Sequence, residues 1–113
     1  LNTGDLRHFV HLQRPIETEG SEGDTERDWI TVRTAWIGLR ALSGSEFWQA
    51  SAVQANVQYR AICRAPDVED LDTSWRIKTE DGRILNVMGK LHDDRDRAAT
   101  VLMLGENTTD PKP

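Results

Sequence analysis

Cysteine occurs once in the 113 residues, as Cys63, and tyrosine once, as Tyr59. A single thiol cannot close an intrachain disulfide and suits a reducing compartment. No apolar run approaches the roughly 18 residues a membrane-spanning helix needs. Residues 2–14 contain no apolar core of a signal peptide, so none is expected there. No glycine-rich phosphate loop follows a strand, and no Gly-x-Ser-x-Gly elbow is present. What remains is 37% hydrophobic and 29% charged, with a mean hydropathy of −0.60. Such a chain reads as one polar, soluble domain, long enough to bury a single core without staples.

The formal net charge is −5, and it is concentrated. Residues 17–28 carry Glu17, Glu19, Glu22, Asp24, Glu26 and Asp28 against Arg27, which accounts for all of it. The other 13 acidic and 13 basic residues cancel. A neutral body with one acidic segment argues against a broad nucleic-acid-binding face.

Hydrophobic periodicity gives six strands. Residues 7–14 alternate through Leu6, Val10 and Leu12, with Phe9 out of phase, and Pro15 either ends this strand or keeps it at an edge. Residues 16–27, with Gly20 and Gly23 among acidic and hydroxyl side chains, read as a flexible loop of unusual length. Residues 29–40 are rich in β-branched and aromatic side chains; a change of inward phase between Val32 and Ile37 predicts a bulge near Ala35 or Gly38. In residues 56–64, Val57, Tyr59, Ala61 and Cys63 share one face. Residues 65–74 read as an acidic loop. Two hairpins follow, one turning at Glu80-Asp81-Gly82, where a type I′ turn is expected, and one at residues 92–97. Residues 107–113 read as a frayed tail.

Between the second and third strands lies one short helix. Ser43 and Glu46 make a Ser-x-x-Glu capping box, and Leu42 with Phe47 occupy the positions of a hydrophobic staple. A helix this short must dock to persist. Strand number and short connections favour a small antiparallel barrel or sandwich, with the helix covering an open end.

Catalytic chemistry is hard to assemble. His8 and His11, three apart on a strand, point to opposite faces and cannot share a metal. The segment His92-Asp93-Asp94-Arg95-Asp96 lacks the glycine and terminal glutamate of a calcium loop and reads as a charged turn. Cys63 falls on a core face and reads as an inert thiol. Ser43, Ser45 and Ser51 are explained by capping and solvation. No enzyme, metal or cofactor is expected. Trp29, Trp36, Trp48 and Trp75 suit core and interface alike; Trp48 points about 100° around the helix from Phe47, towards a partner or the chain's own sheet.

In order and spacing the chain resembles the head–tail joining, or head-closure (stopper), proteins of tailed bacteriophages. The resemblance runs from Leu6-Arg7-His8 and Leu12-Gln13-Arg14-Pro15 through a variable polar loop to Trp36. It continues through Leu42-Ser43-Gly44-Ser45-Glu46, Val53-Gln54-Ala55 and Tyr59-Arg60, and ends in Asp81-Gly82-Arg83, Asp94-Arg95-Asp96-Arg97 and Val101-Leu102-Met103-Leu104. It implies a mainly β fold: one barrel domain over residues 1–106, with a flexible loop at 16–28, a short helix and a tail. It implies a homo-oligomeric ring, expected to be a dodecamer, in the neck of the virion. The ring would sit beneath the portal and adaptor, close the channel after packaging and offer a surface to the tail. Its partners would be other copies of itself, the adaptor above, terminator or tube proteins below, and double-stranded DNA held without sequence specificity; no membrane is involved. Assembly would take place in the host cytoplasm. Glu17, Glu19, Glu22, Asp24, Glu26 and Asp28 become candidates for a channel loop, and His8, Arg14, Trp48 and Gln49 for subunit or partner contacts. The departure is the long acidic stretch at 65–73. Alternatives are a tail-terminator or other connector protein of the same particle, and an OB-like nucleic-acid-binding barrel, which would need a basic groove with stacking aromatics.

Overall fold

The computed structural model describes residues 4, 6–19, 25–53, 57–92 and 97–106. Six strands, β1 (His8–Glu19), β2 (Thr25–Ala41), β3 (Tyr59–Arg64), β4 (Arg76–Thr79), β5 (Ile84–His92) and β6 (Ala99–Glu106), are joined with helix α1 (Gly44–Val53) and a 3-10 turn at Ala65–Val68. All pairings are antiparallel, and the sheet closes in the order β1-β2-β3-β6-β5-β4. The expected barrel of six strands with one short helix is what forms. Closure follows from the alternation: Val10 and Leu12, Ala35 and Ile37, Ala61 and Cys63, Leu85 and Val87, Leu102 and Leu104 all point inward and are buried. Val57 and Tyr59 continue the inner face of β3, with Val57 buried and Tyr59 packed against the core.

Three features depart from the sequence reading. Residues 16–19 and 25–28 are paired strand, not loop: β1 runs through Pro15 to Glu19, and β2 starts at Thr25 opposite it. Proline is tolerated because β4 pairs with β1 only from Val10 to Gln13, so beyond Gln13 one edge of β1 has no ladder to complete. The second departure is the bulge in β2. Leu12 faces Arg33 and Gln13 faces Thr31, so Val32 is the extra residue, three positions before Ala35. The phase change read from sequence is real, and Val32 is left partly exposed. A second, unforeseen bulge sits at Met88, between Val87 opposite Leu104 and Gly89 opposite Met103.

The third departure concerns residues 65–74, expected as an acidic loop. Residues 65–74 form a cap over one barrel end, sinking Val68 and Leu71 into the core ahead of buried Trp75. Two basic side chains, Arg33 and Lys90, hold the cap. Arg33 forks onto Asp70 at 2.7 and 2.9 Å and also donates to the Asp67 carbonyl. The Lys90 ammonium donates to the carbonyls of Val68, Glu69 and Leu71 at 2.8–3.1 Å. Arg33 beside Asp70 holds that carboxyl below its ordinary range. Among the described residues, helix α1 is tied to the barrel rim by Glu46. The Glu80-Asp81-Gly82 turn also differs from type I′. The amide of Gly82 donates to the Thr79 carbonyl, the amide of Thr79 to the Arg83 carbonyl, and Gly82 has φ +92°. That is a three-residue loop with glycine in the left-handed position.

Candidate functional site: the acidic ribbon and the basic rim

Past Gln13 the β1–β2 pair leaves the barrel as a two-stranded ribbon, with Arg14 opposite Ile30 and Glu19 opposite Thr25. Six residues at about 3.3 Å each carry it roughly 20 Å outward, and the molecule is accordingly long, 50 × 29 × 25 Å. Its root is a polar cluster. The Gln13 amide donates to Thr31 Oγ1 at 3.1 Å, and its carbonyl oxygen accepts from Arg76 Nε at 2.7 Å. The Arg76 guanidinium lies over the Trp29 ring at 4.3 Å, a cation–π contact. Gln13 is buried in this cluster. One side chain from β4 thereby fixes both ribbon strands to the barrel.

Of the channel-loop candidates, Glu17 and Asp28 are exposed on the ribbon. Asp28 accepts from the Trp29 amide at 2.8 Å. Glu19 and Glu26 lie on the same paired strands; their side chains, and Glu22 and Asp24 altogether, lie outside the described residues.

The opposite end of the same two strands is basic. Arg40 on β2 stands directly across from Arg60 on β3, a like-charge pair that would destabilise the sheet if nothing intervened. Glu46 intervenes. Its two oxygens accept from Arg40 Nη1 and Nη2 at 3.0 Å each, and Arg60 lies 4.0 Å away. The same carboxylate accepts from the Ser43 amide at 3.0 Å, while the Glu46 amide donates to Ser43 Oγ at 3.3 Å. The predicted capping box is therefore present and also serves as the helix's tether. Arg40 and then Ser43 lower the Glu46 carboxyl from 4.5 to about 2. Phe47, the other half of the expected staple, has its side chain outside the described residues.

Arg40 and Arg60, with Arg7, His8, Gly38, Leu39 and Ile62, line an open cleft of about 530 Å³. Its flanks are aliphatic, and among the described residues no aromatic ring but His8 lines it, unlike the stacking groove an OB-type binder uses. A second, shallower cleft of about 340 Å³ is shared by Arg7, His8, Phe9, Trp36, Thr79, Glu80, Asp81 and Arg83. There Phe9 packs on Trp36 at 5.2 Å, and Trp36 remains 53% exposed.

The structure thus separates the predicted contact residues. His8 is exposed at the basic rim, Arg14 at the ribbon root, and Trp48 and Gln49 on the outer side of α1, where Trp48 is 73% exposed. His11 is paired with Glu80 at 3.4 Å. His92 is exposed at the end of β5, and residues 93–96 of that turn lie outside the described residues. Cys63 is fully buried, and burial first, then the charge of Asp67, pushes its thiol up to about 12. Sequence reasoning missed the arginine cluster. Its signal was present, since Arg40 and Arg60 both fall on outward positions of strands flanking the helix, but only the register brings them face to face. Among the described residues no three potential metal ligands gather, and no helix is long and apolar enough to cross a membrane.

The closed barrel buries its cysteine and displays charged and aromatic surfaces at separate places. The phage head completion protein family matches residues 1–106, and the chain belongs to that family, a structural component of the phage head rather than an enzyme. SF1141 from Shigella flexneri 2a, known from a solution structure, is similar at 26% identity, with a TM-score of 0.78 over 96% of this chain and 98% of that one. No curated protein matches the chain.

Proposed function

We propose that this head completion protein forms a ring beneath the portal and adaptor, closes the DNA channel once packaging ends, and offers the surface on which the tail assembles. Family membership carries the reading, and the acidic ribbon supports it. Closure leaves the barrel proper with no open sheet edge, so the ribbon, the rim and α1 are the parts left to meet neighbours. A carboxylate-rich arm near packaged DNA repels phosphate only within a screening length of about 8 Å at physiological salt. It would therefore act as a steric gate or as a non-adhesive lining. His8, Arg14, Trp48 and Gln49 would contribute to contacts with neighbouring copies or with the adaptor. Membership in the ring would place the protein in the virion neck after assembly in the host cytoplasm.

Particles produced without this protein test the reading by electron microscopy and DNA quantitation. Filled heads that leak DNA and carry no tails are expected. Overlong or malformed tails on closed heads would instead assign it to tail termination.

A further inference from the structure

The two charged surfaces sit at opposite ends of one strand pair. His8 at the basic rim and Glu19 at the far end of the ribbon are both on β1, about 36 Å apart at 3.3 Å per residue. In one copy the length of the pair holds them apart. Between copies they are complementary. At the rim, Arg40 and Arg60 stand at Glu46 and Arg7 lines the same cleft, while Glu80 and Asp81 belong to the neighbouring cleft that Arg7 and His8 also line. At the ribbon, Glu17, Glu19, Glu26 and Asp28 stand on the paired strands with Arg27. The cleft is open, about 530 Å³, with aliphatic flanks from Leu39 and Ile62. That volume has room for carboxylate side chains and the methylenes behind them.

We infer that the basic rim cleft of one copy receives the acidic ribbon of the next. The inference rests on the ring reading above and names its contact. A patch at one end that binds a different patch at the other end is a heterologous interface, which closes into a ring when its rotation permits. Arginine suits the cleft because its planar fork takes a carboxylate with two parallel hydrogen bonds. Arg40 is forked onto Glu46 through both terminal nitrogens, whereas Arg7 bonds the Gly4 carbonyl through Nε and Arg60 stands 4.0 Å from Glu46, so Arg7 and Arg60 are the groups assigned to the incoming ribbon. Charge of this kind sets register and orientation more than raw affinity.

The test uses assembled particles. Cys63 is buried, so cysteines introduced at Glu17 and Arg60 in one chain report on each other without interference. Under mild oxidation, a ladder of disulfide-linked multimers on a non-reducing gel is expected. Arg7→Glu with Arg60→Glu, or Glu17→Lys with Asp28→Lys, should each lower incorporation into particles about tenfold or more. All four reversals in one chain should restore it. Several copies per particle by quantitative mass spectrometry, with no ladder and no rescue, would overturn the ribbon-to-cleft contact while leaving the ring. A single copy per particle would overturn the ring reading itself. Loss of DNA retention in R7E/R60E particles that keep normal copy number would mean that the cleft holds DNA phosphate, and would also overturn the inference.

Discussion

A carboxylate that accepts from one backbone amide and one arginine fork loses its hold on those donors when it takes up a proton. Glu46 is that carboxylate, and protonating it would also leave Arg40 directly across from Arg60 without the intervening negative charge. Its pKa is lowered from 4.5 to about 2. A depressed acid contributes stability that is fully present above the ordinary value and is lost as pH falls through the folded one. The attachment of α1 to the rim should therefore weaken between about pH 4.5 and 2, visible as loss of amide-exchange protection confined to α1. In Glu46→Gln the helix should already be frayed at neutral pH and show no further change over that interval. Equal, pH-independent protection in both proteins would refute the role given to this carboxylate. Cys63 is the contrasting case: its environment removes reactivity, since burial holds the thiol protonated at neutral pH.

At the scale of elements, two short segments decide how the barrel is closed, and they differ in how openly the sequence declares them. The β4–β5 turn is declared by Asp81-Gly82, because only glycine adopts the left-handed conformation without strain. Space around Gly82 is open, so Gly82→Ala meets no clash and should cost about 1–2 kcal/mol from backbone strain alone. Gly82→Asn should cost less, as asparagine visits that region more readily. The urea midpoints of the two variants check the order. The cap at residues 65–74 is not declared. Pro66 and the aspartates give it a loop's composition, and Val68 and Leu71 are too few to show a period. What seats it is Lys90, far along the chain, whose ammonium gathers three carbonyls. Lys90→Met keeps the stem and leaves those acceptors without the charge; a loss of about 2–3 kcal/mol is expected, measured by urea unfolding. Little change would mean that Arg33 and the burial of Val68 and Leu71 seat the cap without Lys90. The same contrast holds at α1, where Ser43 and Glu46 announce the helix, whereas its tether to Arg40 and Arg60 depends on a strand register that no local pattern records.

Taken whole, the molecule joins a barrel with a packed interior to a ribbon that has almost none. The barrel was legible because inward residues recur with period two, as in Val57, Tyr59, Ala61 and Cys63. The ribbon was not, because its pairing is inherited from the register of β1 on β2 within the barrel. Its own residues, acidic and interrupted by Pro15, carry the composition of a loop. An isolated two-stranded hairpin is at best marginally stable in water, so the ribbon must be held by its root or by a partner. The root is Arg76, which binds Gln13 and covers Trp29. Arg76→Ala should leave the barrel's unfolding nearly unchanged, because its core lies elsewhere. It should release the ribbon as a separate opening unit. Hydrogen exchange distinguishes the two parts: amides of residues 14, 16–19 and 25–30 should lose protection in the variant, while those of Leu85, Leu102 and Leu104 keep it. In assembled particles the native ribbon should be better protected than in the free protein, since a partner supplies the contacts that the hairpin lacks. Ribbon amides as slow as barrel amides in the free protein, with or without Arg76, would show instead that the arm is rigid on its own.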